Sequence, residues 1–224
     1  MLARVMGRLL PDGMLGRAKR LRRVLRGQGL RHQLRAMPRR IVIGSSGVFD
    51  DDWVATDAHE LNLVDRNTWS KYLEPASVDA LLAEHVWEHL TLEEGRIGAR
   101  ICYSYLRPGG YIRVAVPDGL HPDGKYREYI GIDGAGGGGA GGHKVVFTYR
   151  LLQEVFEGAG FVTRLLEYHD ESGEFHVRDW SPIDGRIHRS SKYDPAGAPS
   201  IILDAVKQPG SGRDPGLARK LSDV

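Results

Sequence analysis

The sequence predicts an α/β fold built on a doubly wound parallel sheet of about seven strands. Short apolar runs recur along the chain, and helical patterns separate several of them. Because strands buried on both faces of a parallel sheet are continuously apolar, each run is expected to be such a strand. The runs are Ile41–Ile43, Trp53–Thr56, Leu61–Val64, Val78–Ala83, Tyr111–Val116, Val162–Tyr168 and Ser200–Val206. Polar or glycine residues follow the first five, as a ligand crevice at the carboxyl ends of the strands requires.

Two helices are predicted between these strands. Thr91 and Glu94 form a capping-box pattern at the start of the first helix, and the PGG turn at 108–110 is expected to end it. The second helix is expected to begin at Thr148 and to end at Gly160. Each carries apolar residues at helical spacing, so each is expected to pack on the sheet.

The composition limits the class of protein. The 224 residues, 41% hydrophobic and 27% charged, suit one large domain with appendages and exclude a disordered, collagen-like or disulfide-rich chain for the bulk. The single cysteine, Cys102, can form neither an intrachain disulfide nor a cysteine-rich zinc site, which favours a reducing compartment such as the cytoplasm. No run of 18 apolar residues occurs, so no transmembrane helix is expected.

Charge is distributed unevenly along the chain. Residues 1–40 contain 12 Lys and Arg against one acid, a charge of +11, whereas the remaining 184 residues carry a charge of −9. The sequence therefore predicts a basic arm at 1–37, a folded domain at 38–208 and a flexible tail at 209–224. Residues 17–36 are interpreted as a solvated extension or as a cationic amphipathic helix. An anionic membrane surface is the favoured partner of such a helix, and nucleic acid is an unlikely one.

Four features occur in an order that is typical of one family. They are GSSG after the first strand, an acid after the second, SVDALLAEHVWEHL around the fourth and LRPGGYIRVAVPDG around the fifth. In these features the chain resembles class I S-adenosylmethionine-dependent methyltransferases, and most of all the methyltransferase type 11 branch, over about residues 40–206. The resemblance implies a Rossmann-like fold, S-adenosylmethionine as the cofactor and methyl transfer as the reaction.

The resemblance also implies which residues bind the cofactor. The backbone of the loop after the first strand would approach the methionine end closely. An acid after the second strand would accept hydrogen bonds from the ribose, and a polar side chain near the third would border the adenine. An acid would close the fourth strand beside the methyl group. These residues are Gly44, Ser45, Ser46 and Gly47 in the loop, Asp57 at the ribose, Asn62 or Asp65 at the adenine, and Glu84 at the fourth strand.

The acceptor is expected to be an oxygen nucleophile on a small molecule or a glycan, because the chain lacks an N/D-P-P-Y/F tetrapeptide after the fourth strand. An acceptor hydroxyl must lose its proton, and histidine titrates near neutral pH. His85 at the end of the fourth strand and His143 are therefore candidate catalytic bases, with Asp118 after the fifth strand in reserve.

Two long connections are assigned to the acceptor side of the sheet. Residues 119–147 are rich in glycine and are expected to form a mobile lid. Residues 169–195 are expected to recognise the acceptor, or else to form a surface hairpin around Trp180.

One departure from the family pattern concerns the first crossover. Only nine residues, Gly44 to Asp52, separate the first two predicted strands. A parallel crossover normally takes a dozen or more residues and usually includes a helix. The sequence therefore predicts an abbreviated first crossover, reduced to a loop or a single turn.

The run HVWEH at 85–89 matches an inverted zinc-peptidase motif. If it lay on a helix, its two histidines would bind zinc, with Glu88 as the base. Because the motif directly follows a buried strand, no metal site is predicted. A zinc peptidase remains an alternative function, as does a non-catalytic or RNA-directed methyltransferase-like protein.

Overall fold

The computed structural model describes residues 27, 29–45, 50, 52–132, 142–195 and 197–210. The chain divides into two units, Met1–Met37 and Pro38–Val224. In the first unit residues 29–33 are helical, while residues 17–26 of the segment interpreted as an amphipathic helix lie outside the described part. The predicted tail lies outside it from residue 211 onward. Within the described ranges, no helix is long and apolar enough to cross a membrane.

The second unit is built on a seven-stranded mixed sheet in the order β2-β1-β3-β4-β7-β5-β6. β1 to β4 run parallel, and β7 is antiparallel to both β4 and β5, so β5 runs in the direction of the first four. Helices lie between several strands, which confirms the predicted α/β fold class. The strands are β1 Arg40–Ile43, β2 Val54–Thr56, β3 Val78–Glu84, β4 Leu106–Val116, β5 Val162–His169, β6 Phe175–Val177 and β7 Ile201–Val206.

The third predicted strand, Leu61–Val64, is wrong. This segment is a turn in which the Asn62 side chain accepts a hydrogen bond from the backbone of Val64. The backbone carbonyl of Asn62 also accepts a hydrogen bond from the indole of Trp69, in the short helix α1 (Arg66–Trp69). The sheet reaches seven strands through β6 instead, which pairs with β5 as a hairpin.

The expectation of parallel strands throughout is also wrong. β7 enters the sheet between β4 and β5 in the opposite direction. A central antiparallel strand is buried on both faces, as a parallel one is, so its apolar run carries no information on direction. The direction of β7 is set by the long connection after β5. This connection returns the chain to the edge of the sheet where β5 ends, so β7 runs opposite to β5.

Helix α2 (Leu92–Tyr105) begins with the predicted capping box, which Thr91 and Glu94 form reciprocally. Helix α4 (Tyr149–Glu157) begins at Thr148 as predicted and is capped by Gly158, two residues before Gly160. Between them α3 (Gly124–Tyr129) lies in the connection that was expected to form a mobile lid.

The PGG segment at 108–110 does not form the predicted turn. α2 passes directly into β4 at Leu106, and the segment lies inside the strand. The pairing between β3 and β4 shifts register here, which marks an irregularity of the bulge type. A Cβ at Gly110 would lie 3.0 Å from two backbone carbonyl oxygens, so a close backbone approach explains this glycine.

One face of the sheet is covered by side chains from loops. Its core contains Trp53 from the first crossover with Trp180 and Ile187 from the 169–195 connection, packed on the alternate residues of the strands. The other face, by the alternation of side chains along each strand, meets α2 and α4. The short first crossover thus leaves a face that the later connection fills, and Trp180 belongs to the main core rather than to a separate surface hairpin.

Arg113 on β4 joins this connection to the sheet. Its buried guanidinium forms a two-bond ion pair with Asp204 on β7, at 2.7 and 3.0 Å. It also donates to the backbone carbonyls of Ser181 and Gly185, and it lies over the Trp180 ring at 5.0 Å. One side chain therefore ties two central strands to the segment that covers them.

Candidate functional site

The carboxyl ends of the parallel strands form one edge of the sheet. Gly44 follows β1, Asp57 follows β2, His85 follows β3, and Asp118 lies two residues beyond β4. β2 lies on one side of β1 and β3 on the other, so the strand order reverses at β1. In open α/β sheets this reversal is where ligands bind. The structure therefore brings most of the predicted site residues to the expected edge.

Gly44 makes the sharp turn at the end of β1. Its φ is +69°, and an added Cβ would lie 2.7 Å from a methyl group of Val86. A side chain at this position is excluded by both strain and space. The turn after β1 is therefore packed tightly against the turn after β3. The backbone N–H of Ser45 donates to the carbonyl of Thr56. Ser46 and Gly47 lie outside the described residues.

Asp57 begins a tight turn directly after β2. Its backbone N–H donates to the Glu60 carboxylate at 3.0 Å, and its carbonyl accepts from the backbone of Glu60 and Leu61. Asp57 lies beside the glycine turn, because the backbone N–H of Ser45 donates to the carbonyl of Thr56, the residue before Asp57. This is the neighbourhood that the sequence predicted for the ribose acceptor.

His85 has left-handed backbone geometry, with a φ of +54°. A non-glycine residue rarely adopts this conformation, and such strain is concentrated at functional sites. Its Nε2 lies 3.0 Å from the Ser200 hydroxyl at the start of β7, and its Nδ1 lies 3.4 Å from a carboxylate oxygen of Glu88. Burial lowers the pKa of His85 to about 4, so its imidazole is neutral at pH 7. The ring thus lies between the start of β7 and the 3-10 turn after β3.

Glu84 has a role that the sequence did not reveal. Its carboxylate accepts from the backbone N–H groups of His188 and Arg189, at 3.1 and 2.8 Å, and it lies 3.0 Å from Nδ1 of His188. The predicted cofactor acid therefore holds the 169–195 connection at the edge of the sheet.

Asn62 and Asp65, the residues predicted beside the adenine, both stabilise local turns. The side chain of Asn62 accepts from Val64, and that of Asp65 caps α1 by accepting from Asn67. Because the third predicted strand is absent, neither residue stands at a strand end.

Asp118 is fully buried and orients a histidine. Its Oδ2 accepts from the backbone N–H of His169 at 2.7 Å and lies 2.9 Å from Nδ1 of the same ring, while Oδ1 accepts from Leu120. Both oxygens of Asp118 are therefore occupied, by Leu120 and by His169. Sequence reasoning assigned His169 to a connection, although it ends β5, whose carboxyl end lies at this same edge.

His143 stands where the connection after α3 returns to the sheet. Its Nδ1 lies 2.9 Å from the Ile130 carbonyl, its side chain is buried, and its ring lies 5.0 Å from that of His89. The backbone N–H groups of Lys144 and Val145 donate to the carbonyl of Glu88. The end of the predicted lid is therefore fixed next to the turn after β3, while residues 133–141 lie outside the described part.

The HVWEH motif does not lie on one helix. His85 ends the strand region with a positive φ, and only Trp87–His89 are helical, as a single 3-10 turn. The two histidines therefore do not stand one above the other as in a zinc peptidase helix. Glu88 is buried, and burial raises its pKa to about 8.

No family model and no curated protein sequence matches this chain. Among solved structures it is similar to a SAM-dependent methyltransferase from Archaeoglobus fulgidus, at 15% identity and a TM-score of 0.44, over 80% of this chain and 93% of that one. It is also similar to a Thermotoga maritima protein, described as a SAM-dependent methyltransferase and possible histamine N-methyltransferase. The identity is 15% and the TM-score 0.44, over 87% of this chain and 96% of that one. A Methanosarcina mazei SAM-dependent methyltransferase matches at 12% identity and a TM-score of 0.39, over 70% of this chain and 68% of that one. The assignment of a cofactor and a reaction therefore depends on the chain's own residues.

Proposed function

We propose that the protein transfers a methyl group from S-adenosylmethionine to an oxygen nucleophile on a small molecule or a glycan. The observation that carries the proposal is the set of three residues where the strand order reverses. Gly44 makes a turn that only glycine fits, Asp57 lies at the end of the neighbouring strand β2, and His85 is held in a strained conformation at the end of β3. This set supplies a close backbone approach, an acceptor for hydroxyl groups and a neutral imidazole.

The residues present fit the cofactor. The turn at Gly44 and Ser45 exposes backbone at the carboxyl edge, where the charged methionine end would bind. Asp57 is suited to two ribose hydroxyls because a carboxylate accepts hydrogen bonds with both oxygens. The cofactor supplies an electrophilic methyl group on a sulfonium. The chain's own residues align the acceptor and remove its proton.

His85 is the proposed base. Its ring is neutral, so one nitrogen keeps a lone pair, and the strand that it follows, β3, lies next to β1, where the strand order reverses. With the cofactor bound, the acceptor oxygen would take its methyl group as the carbon–sulfur bond breaks, and the imidazole of His85 would accept the hydroxyl proton. His143 is the second candidate. Asp118 is proposed as a positioning residue, since it holds His169 rather than facing the crevice with a free carboxylate.

Asp57→Ala is expected to weaken S-adenosylmethionine binding by about 1.5–3 kcal/mol, the cost of losing hydrogen bonds to a charged group. Calorimetric titration of the full chain with the cofactor measures the loss directly. Asp179→Ala is a matched control, because that carboxylate is fully exposed on the 169–195 connection. It should leave the affinity unchanged. Absence of binding to the wild type at millimolar cofactor would refute the proposed function, and binding without turnover on any acceptor would support the non-catalytic alternative.

The basic arm is proposed to bind an anionic membrane surface, which would make the protein peripheral to the membrane. Its 10 Lys and Arg against one acid over residues 1–37 support this. Deletion of residues 1–36 is expected to reduce sedimentation with phosphatidylserine vesicles and to leave the melting temperature of the folded unit nearly unchanged. Binding of the full chain should fall as salt rises, because exposed charges are screened over about 10 Å at 0.1 M. Unfolding of the truncated chain would show instead that the arm is part of the fold.

A further inference from the structure

Three side chains that bind metals elsewhere in proteins converge beside the candidate site. Glu88, His89 and His143 each offer a ligand atom, and these atoms all lie within 4.8 Å of one another. Two of them come from the 3-10 turn after β3 and the third from the segment that follows α3. The backbone bonds from Lys144 and Val145 to the Glu88 carbonyl, at 2.7 and 3.3 Å, hold these two segments together. Their approach is therefore built into the fold.

The carboxylate of Glu88 is the most unusual of the three groups. Its side chain is 1% exposed, and among the described residues neither oxygen has a hydrogen-bond partner. Nδ1 of His85 lies 3.4 Å from one oxygen of Glu88. The other nitrogen of the same ring, Nε2, contacts the Ser200 hydroxyl. A buried carboxylate without partners costs several kcal/mol unless a cation or a proton neutralises it. A cation at this position would resolve that cost.

The hydrogen bonds of the two histidines show which ring nitrogen keeps its lone pair. Nδ1 of His143 lies 2.9 Å from the Ile130 carbonyl, and Nδ1 of His89 lies 3.3 Å from the Gly142 carbonyl. A carbonyl oxygen can only accept, so in both rings Nδ1 carries the hydrogen. In the neutral ring Nε2 then has an unshared pair. A backbone carbonyl that orients the ring in this way is the usual outer partner of a metal-binding histidine.

We propose that Glu88, His89 and His143 bind a divalent transition-metal ion, of which zinc fits best, and leave one coordination position open. Imidazole nitrogens select zinc and its neighbours over magnesium and calcium, which prefer oxygen ligands. Two histidines, one glutamate and a water are a typical catalytic zinc set. Bond lengths of about 2.0–2.2 Å place tetrahedral ligand atoms about 3.3–3.6 Å apart, so binding would draw the three groups slightly closer. This set differs from the peptidase motif, since Glu88 is a ligand and His143 replaces His85.

Two other clusters of the described residues also bring three such groups together, and local turns account for both. In the first, the Glu60 carboxylate accepts from the backbone of its own turn. In the second, the aspartate accepts from the hairpin turn between β5 and β6 and pairs with the histidine. Neither contains a buried carboxylate without partners. The clusters are Asp57, His59 and Glu60, and Asp170, Glu174 and His176.

The role of the metal in catalysis rests on the proposed function, whereas its binding does not. Glu88 contacts His85, so the proposed metal site adjoins the proposed base. An acceptor hydroxyl that binds a divalent ion there loses its proton more readily. The proton still passes to His85, and the metal itself undergoes no redox change.

The test uses the full chain after treatment with a chelator, titrated with zinc chloride alone. Calorimetry is expected to show one equivalent of zinc bound to the wild type, and the melting temperature is expected to rise with zinc concentration. Glu88→Gln and His143→Asn should each weaken binding more than about 100-fold, since loss of an outer partner alone costs about 10–100-fold. His176→Asn, in the exposed hairpin cluster, should bind zinc as the wild type does.

A wild-type chain that binds no zinc would overturn the proposal, and so would a loss of binding in His176→Asn but not in His143→Asn. Cobalt gives a second readout: its visible absorption bands should appear with the wild type and disappear in Glu88→Gln. Circular dichroism shows that each variant is folded, and the wild-type titration stands without any variant. Titration with S-adenosylmethionine in the absence of zinc separates this proposal from the proposed function, because either can fail while the other holds.

Discussion

Replacing His85 by asparagine is expected to lower the turnover of methyl transfer by about 10²–10⁴-fold, the usual loss when a general base is removed. Asparagine is the informative substitution because it tolerates the left-handed backbone that His85 adopts, with its φ of +54°. Alanine at the same position would add backbone strain to the loss of the ring. The affinity for S-adenosylmethionine, measured by calorimetry, should stay within a few-fold of the wild type, so that kcat rather than cofactor binding carries the effect.

Ser200→Ala is the matched control for this experiment. It removes the hydroxyl that lies 3.0 Å from Nε2 of His85 and leaves the imidazole in place. If His85 is the base, the control should lose far less activity than His85→Asn. A turnover of His85→Asn within about tenfold of the wild type would exclude this role. Activation of the acceptor would then depend on His143 or on a bound metal.

Local signals in the sequence predicted local structure well. The capping box at Thr91 and Glu94 and the start of α4 at Thr148 are found where they were expected, because each is fixed by residues three positions apart. Gly44 and Asp57 lie side by side at the sheet edge. They directly follow Ile43 and Thr56, which are paired with each other across β1 and β2. These features need no knowledge of distant contacts.

Contacts between distant residues explain what the sequence did not predict. The Glu84 carboxylate is bonded to residues 104 and 105 positions away, and Asp118 to one 51 positions away. A strand-end acid looks the same in sequence whether it faces a cofactor or holds a loop. The same reason explains β6, whose three residues become a strand only because β5 lies beside them.

The third predicted strand failed for a different reason. Leu61 and Leu63 are buried, as apolar strand residues would be, but Asn62 between them bonds to Val64 and Thr68. Asparagine competes for backbone hydrogen bonds and favours turns. Buried side chains therefore do not by themselves imply a strand when an Asx turn satisfies the backbone.

The shortness of the first crossover was predicted, but the segment that covers the sheet beside it was not. In a doubly wound protein, helices cover both faces of the sheet. Here, within the described residues, one face is covered by Trp53, Trp180 and Ile187. Two of these come from a connection that the sequence assigned to acceptor recognition. Because Glu84 holds the far end of this connection, the fold and the candidate site share one segment. Its attachment to the sheet through Arg113 is therefore expected to contribute strongly to stability.

Arg113→Ala is expected to lower the free energy of unfolding by about 3–5 kcal/mol, measured by guanidinium denaturation. Asp204, which is almost completely buried, would lose its two-bond partner, and the carbonyls of Ser181 and Gly185 would lose a donor. Removal of one partner of a buried pair costs this much because the remaining charge stays buried. Arg164, half exposed and 3.2 Å from Asp204, compensates only in part.

Two further variants show whether burial causes the loss. Arg107→Ala breaks a second ion pair of β4, with Asp79, but that arginine is half exposed, so the cost should be about 1 kcal/mol or less. In the double variant Arg113→Met, Asp204→Leu no buried charge remains, and the loss should be well below that of Arg113→Ala, because apolar replacement of a whole pair is often neutral. A loss under about 1 kcal/mol for Arg113→Ala would mean that Trp180 and Ile187 hold the 169–195 connection on the sheet without the ion pair.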